Sequence, residues 1–161
     1  MNLVGPGPIA PHFLDTKLAF AAMPPVGCWV DLGSGAGFPG LVLAAEYPAL
    51  SIDLVDSRQK RATFLEAVVA EAREGDRVRV RNVRAEDLPL AAWDGATSRA
   101  FAPPIDALAA CAARVRPGGR VVLFLNADDP LPEAPVCAVF HVEHYWVEGK
   151  PRRAVGWVVN G

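Results

Sequence analysis

The chain has 161 residues, 52% of them hydrophobic, and a formal net charge of −2. That composition predicts one packed domain over residues 1–161 and excludes a disordered chain. No apolar run is long enough to span a bilayer, residues 1–8 lack the basic and apolar regions of a signal peptide, and the acidic balance gives no global sign of nucleic-acid binding.

Residues 11–23 read as a helix closed by Pro24 and Pro25, which cannot continue it. Residues 1–25 form a helical lead-in, and residues 26–161 read as a Rossmann-like core. In that core short apolar strands alternate with helical patterns, as in βαβ units on a parallel sheet. Residues 26–32 give the first strand, and the next helix opens near Pro39, a favoured first-turn residue. Residues 52–56 give the second strand. Ser57 is then expected to cap a helix that carries Phe64, Leu65, Val68, Val69 and Ala72 at helical spacing and ends at Gly75.

Residues 77–83 run Arg-Val-Arg-Val-Arg-Asn-Val, an alternating pattern that reads as a half-exposed strand near a sheet edge. Residues 95–98 are a short strand candidate and 107–115 a helix. Pro117, Gly118 and Gly119 turn into a strand over 120–125. Two further strands, 136–147 and 154–159, are joined through residues 149–153. The three cysteines, Cys28, Cys111 and Cys137, lie far apart, which predicts free thiols in a reducing compartment and no metal site.

The densest chemistry is the run from Asp31 to Gly40, where Gly33, Gly35, Gly37 and Gly40 fall between a strand and a helix. Glycine lets backbone approach a ligand closely, and the helix start offers unpaired N–H groups. Two cofactor templates overlap here. Gly35, Gly37 and Gly40 fit the dinucleotide fingerprint, and Asp31, Gly33, Gly35 and Gly37 fit the pattern of class I methyltransferases. Asp56, ending the second strand, can pair with ribose hydroxyls of either cofactor. Asp31 favours a sulfonium cofactor carrying an ammonium group, since an acid there would repel a pyrophosphate. The antiparallel hairpin at the end of an otherwise parallel sheet favours the same choice.

The run 31–40 with its Phe38-Pro39-Gly40 extension, then Leu54 to Ser57, Lys60-Arg61, Phe64-Leu65, Arg84-Ala85-Glu86, residues 98–102 and Pro117 to Gly119, resembles the RsmG family, also called GidB. That family methylates N7 of a guanine in small-subunit (16S) ribosomal RNA. The resemblance covers residues 12 to 125 and implies an α/β class I S-adenosylmethionine-dependent methyltransferase fold. It implies that Gly33, Ser34, Gly35 and Gly37, with Asp31 and Phe38, take the methionine half of the cofactor. Asp56 would accept from the ribose, Ser57 would sit beside the adenosine, and Ala85 and Glu86 would meet the adenine. The resemblance also implies that Arg99 would face the transfer centre, with a role in both catalysis and cofactor binding. His12, paired with Asp15 as in the family's His-x-x-Asp, is the second catalytic candidate.

The implied partners are 16S rRNA or the small ribosomal subunit, for a monomer in the bacterial cytoplasm with neither a metal nor a membrane. Guanine N7 needs no deprotonation, so the lack of a Ser/His/Asp or His/Cys set is no obstacle. Ala102-Pro103-Pro104-Ile105 lacks the amide and the aromatic of amine methyltransferases. The chain departs from the family where Leu125-Asn126-Ala127 replaces Leu-Lys-Gly, and where the glycine loop follows a short lead-in. Those departures keep open a methyltransferase acting on a small molecule or other RNA, and a non-catalytic cofactor-binding homologue. The arginines at 77, 79, 81 and 84, with Lys150, Arg152 and Arg153, are either an RNA path or solubilising charge on a strand edge and a hairpin tip.

Overall fold

A computed structural model describes residues 10–161; the lead over residues 1–9 lies outside the described residues. The chain runs α1 (Ala10–Phe20), β1 (Cys28–Leu32), α2 (Gly40–Glu46), β2 (Ser51–Val55), α3 (Gln59–Glu71) and β3 (Val78–Arg81). A 3₁₀ turn at Ala85–Asp87 leads to β4 (Trp93–Ser98), α4 (Pro104–Arg114), β5 (Val115–Asn126), β6 (Cys137–Val147) and β7 (Lys150–Val159). The strands make one seven-stranded sheet in the order β3-β2-β1-β4-β5-β7-β6. The β1–β2, β2–β3, β1–β4 and β4–β5 pairs are parallel, and β7 runs antiparallel to both β5 and β6.

Alternation along the strands divides the core between the two faces. Trp29, Ile52, Leu54 and Val122 point to one side, where they meet Phe20 of α1, Leu43 of α2 and Leu65 of α3. Val30, Leu32, Val121 and Leu123 point to the other side, against Leu108, Cys111 and Ala112 of α4. A period of two in the strands and an apolar stripe on each helix produce this three-layer packing directly.

Four sequence-based expectations are corrected in detail. Ser57 does not cap α3: Arg58 is the N-cap residue, and its N–H is taken by Asp56 Oδ1 at 2.9 Å. The helix ends at Glu71, four residues before Gly75, with Arg73 supplying the left-handed backbone at φ +56. Pro117 to Gly119 do not precede β5 but lie within it, where the register against β4 jumps from Trp93↔Val115 to Gly95↔Arg120. A Cβ on Gly119 would fall 2.5 Å from the Asp94 carbonyl oxygen, so this bulge needs a residue without one. Finally, β7 begins at Lys150, joined to β6 by the two residues Glu148 and Gly149 with φ of +49 and +72. Left-handed backbone at both positions gives the turn whose twist matches the strands it joins.

The five parallel strands β1, β2, β3, β4 and β5 all end on one side of the molecule, and the chain crosses from β3 back to β4 beside β1. That reversal opens a crevice beyond the ends of β1 and β4, the position where open α/β sheets bind ligands.

Candidate active site

The glycine loop is built from the ends of β1 and β2. Gly33 N–H and Ser34 N–H both donate to the Val55 carbonyl at 2.9 Å, folding the loop across the end of β2. Ser34, almost fully buried, donates its hydroxyl to the Asp31 carbonyl and accepts from Val55 N–H at 3.1 Å. Its side chain therefore ties the loop to the sheet. Gly33, Gly35 and Gly37 have φ of +73, +54 and +100, a region that side chains enter only with strain.

Asp31 is completely buried at the root of the loop. Its Oδ2 accepts the N–H of Gly40 at 3.0 Å, while Oδ1 has no partner. Burial pushes its carboxyl up to about 7, against the opposing effect of the Gly40 hydrogen bond. Gly40 is packed tightly: a Cβ there would lie 2.2 Å from Leu54 Cδ2 and 2.7 Å from Asp31 Oδ2.

A cavity of about 290 Å³ lies beside the loop, lined by Gly33, Asp56, Ser57, Arg61, Ala85, Glu86 and Phe101 among others. Asp56 accepts Gly35 N–H through Oδ2 at 3.0 Å and Arg58 N–H through Oδ1. A carboxylate has about four lone-pair sites, so two remain for a ligand's hydroxyls. Arg61 leans over the loop, its Nη1 standing 3.0 Å from where a Gly35 Cβ would be. Ala85 is buried, and Glu86 is exposed with its carboxylate 3.6 Å from Arg84. An acid for ribose, cations for a carboxylate and a flat apolar wall at Phe101 and Val83 fit S-adenosylmethionine.

A second cavity of about 340 Å³ adjoins the first, and Ala100 lines both. Ala100 has φ +54, so the chain turns sharply between Arg99 and Phe101 and sends the two side chains to different cavities. The second cavity is lined by Asp15, Ser98, Arg99, Asn126, Tyr145 and Arg152 among others. Arg99 Nη1 stands 3.5 Å from Asp15 Oδ2, and Arg99 Nη2 lies 2.5 Å from His12 Nδ1. His12 is held below the ordinary imidazole range by burial and then by the Arg99 charge, so its ring is neutral and offers a lone pair to the guanidinium. Tyr145 donates to Asp15 Oδ1 at 2.6 Å.

The residues singled out from sequence therefore divide. Gly33, Asp56, Ser57, Ala85 and Glu86 line the first cavity, whereas Arg99 lines the second. His12 lines neither; it backs Arg99 and stacks against Phe38, with ring centroids 5.3 Å apart. Asp31, Ser34, Gly35, Gly37 and Phe38 shape the loop from behind. Sequence reasoning missed Tyr145, because nothing in a β-hairpin pattern tells which tyrosine will reach a helix 130 residues earlier; Arg152, expected on an RNA path or a charged hairpin tip, lines the second cavity. Arg61 does carry a sequence signal, standing five residues after Asp56 in the Lys60-Arg61 pair.

The arginine-rich edge is largely paired. Arg79 and Arg81 flank Asp53 at 3.4 and 2.8 Å. Arg77 binds Glu74 and the carbonyls of Ala44 and Leu50, fastening β3 to the end of α2. Arg153 is buried and donates to the carbonyls of Asn126 and Asp129. Trp29 and Trp93 are buried core residues. Among the described residues no group of three metal-ligating side chains occurs, and no helix is long and apolar enough to cross a membrane.

Solved structures that superpose on this chain include methyltransferases. Magnesium protoporphyrin IX methyltransferase from Synechocystis PCC 6803, with S-adenosylmethionine bound, superposes with a TM-score of 0.66 at 12% identity, covering 94% of this chain and 78% of that one. Geranyl diphosphate methyltransferase in complex with S-adenosylmethionine gives 0.69 at 15% identity, covering 91% and 85%. These likenesses establish the class I methyltransferase fold. Sequence relatives are more specific: the ribosomal RNA small subunit methyltransferase G of Caulobacter vibrioides is 39% identical over 163 residues, covering 94% of this chain and 73% of the relative. That of Rhodospirillum rubrum is 35% identical over 158 residues, covering 94% and 77%. The family model of rRNA small subunit methyltransferase G matches residues 7–137. The chain belongs to this family, the GidB methyltransferases.

Proposed function

We propose that this protein transfers a methyl group from S-adenosylmethionine to N7 of a guanine in small-subunit (16S) ribosomal RNA, acting as a monomer in the bacterial cytoplasm. The observation that carries the reading is the pair of adjoining cavities. One holds Asp56 and the glycine loop, the other Arg99, and Ala100 is their shared wall.

Bound in the first cavity, the cofactor supplies an electrophilic methyl on a sulfonium centre. Asp56 orients the ribose through its two free lone-pair sites, and the Gly33–Gly37 backbone admits the methionine half. Glu86 and the Ala85 backbone meet the adenine, with Ser57 beside it. The acceptor nitrogen carries an in-plane lone pair, so no side chain has to remove a proton. Catalysis then rests on alignment and exclusion of water. Arg99 addresses the acceptor by its planar fork, and His12 fixes the fork's outer nitrogen.

The test is a titration with S-adenosylmethionine, then assay of N7-methylguanine in naked 16S rRNA and in whole small subunits. Saturable binding and methylation of either RNA substrate is expected; binding without transfer to both would overturn the rRNA assignment. Asp56→Ala is expected to weaken cofactor binding about 10- to 100-fold, the equivalent of losing about one hydrogen bond to a charged group.

A further inference from the structure

Four side chains from distant parts of the sequence form one chain of polar contacts at the second cavity. Tyr145 of β6 points inward because Tyr145 and Val147 face α1, while Trp146 between them is exposed. Its hydroxyl donates to Asp15 Oδ1 at 2.6 Å, Asp15 Oδ2 faces Arg99 Nη1 at 3.5 Å, and Arg99 Nη2 meets His12 at 2.5 Å. Burial raises the phenol well above its ordinary range, so Tyr145 stays a donor at every working pH. Three lining residues, Ser98, Arg99 and Arg152, each have a buried polar atom with no hydrogen-bond partner among the described residues, Arg99 Nη1 making only its 3.5 Å ion pair with Asp15. Unpaired buried donors are costly, and donors lining a cavity are satisfied by what enters it.

We propose that Tyr145 is a positioning residue for methyl transfer: by holding Asp15 it fixes the Arg99 guanidinium toward the acceptor cavity. The proposal rests on the function given above. In the transfer, the bond from the acceptor nitrogen to the methyl carbon forms as the carbon–sulfur bond breaks, with its electron pair left on sulfur. Positive charge therefore arrives on the base. An isolated arginine beside that base would oppose it. The Asp15 carboxylate makes the pair neutral, so Arg99 can donate hydrogen bonds without a net repulsion. Asp15 reaches Arg99 by a single 3.5 Å contact. Without the tyrosine hydroxyl its carboxylate is free to turn away.

The decisive variant is Tyr145→Phe in the full chain, which keeps the buried ring and removes one oxygen. Its kcat on small-subunit RNA is expected to fall roughly 10-fold or more, as for a misplaced orienting group, while cofactor affinity stays within about twofold. Asp15→Asn is expected to lose at least as much, and the double variant no more than Asp15→Asn alone, because Tyr145 acts through Asp15. A second readout is the NMR titration of the His12 ring, which Arg99, Asp15 and Arg152 all face. In Tyr145→Phe its midpoint should move up as the arginine relaxes away.

A wild-type kcat in Tyr145→Phe, additive losses in the double variant, or a parallel fall in kcat and cofactor affinity would each overturn the positioning role. If Tyr145→Phe does not fold, Asp15→Asn with an unchanged kcat overturns it as well. If the unmodified protein methylates no RNA, the function reading fails instead. The His12 midpoint then still decides whether Tyr145 positions Arg99.

Discussion

Asp31 sits at the root of the glycine loop with one carboxylate oxygen satisfied by Gly40 and the other unpaired, in complete burial. The sign of its effect on stability follows from its raised carboxyl. Below about pH 4 the group is protonated whether the chain is folded or not, and burial carries no charge penalty. As pH rises toward about 7 the unfolded chain releases the proton and the folded chain keeps it, so stability falls, by about 4 kcal/mol over the whole window. Asp31→Asn retains an acceptor for Gly40 and should flatten this dependence. Urea unfolding of both proteins at pH 5 and pH 7.5 checks it, and equal losses in the two would contradict it. Arg99 makes a second prediction at this scale. Arg99→Lys keeps the charge but loses the fork shared between Asp15 and His12, so kcat should fall by about 10-fold or more with cofactor binding unchanged. Steady-state kinetics with a cofactor titration separates the two effects.

Among the elements, α2 matters most to the site because its first turn packs against both the loop and the sheet. Gly40 is the contact point, and any side chain there collides with Leu54 and Asp31. Gly40→Ala should destabilise the fold by about 1–3 kcal/mol, the usual cost of overpacking a close approach. It should also weaken cofactor binding, because the Gly40 N–H would be pushed off Asp31. A lowered urea midpoint with an unchanged slope is the expected signature. The terminal hairpin is the other decisive element. Its tight turn at Glu148 and Gly149 sets the register that puts Tyr145 opposite Arg152 and both at the second cavity. A one-residue slip would turn Tyr145 outward and Trp146 in.

For the whole molecule, the distribution of charge matters more than the net value of −2. Arg77, Arg79, Arg81, Arg84 and Arg116 are all engaged with acids, and Arg153 is buried. Arg58 and Arg61 beside the first cavity and Arg152 beside the second carry no ion pair among the described residues. A protein with few free cations on its binding face releases few counterions. Binding to single-stranded RNA should therefore depend only weakly on salt, with a log–log slope no steeper than about −3. Affinity measured from 50 to 300 mM salt tests this, and a much steeper slope would mean that the paired edge arginines also contact phosphates.

The sequence by itself determined the βαβ order, the glycine loop, the acids at 31 and 56 and the family, because each is written in local periodicity or in residues a few positions apart. Element ends were less legible: Arg58, its N–H held by Asp56, took the N-cap position expected of Ser57, and Arg73 supplied the left-handed turn expected of Gly75. In both cases a side chain or backbone state competed locally and the sequence pattern did not rank the competitors. The arginine stripe reads two ways in sequence, and the fold decides it by bringing Asp53 and Glu74 beside it. Only the tertiary structure separated the site into two cavities and joined His12, Asp15, Arg99 and Tyr145. Those contacts span up to 130 residues of chain, and they exist only because sheet order and strand register bring α1, the end of β4 and the hairpin together. Loop and strand chemistry is local and can be read along the chain, whereas the acceptor side of this enzyme depends on long-range packing.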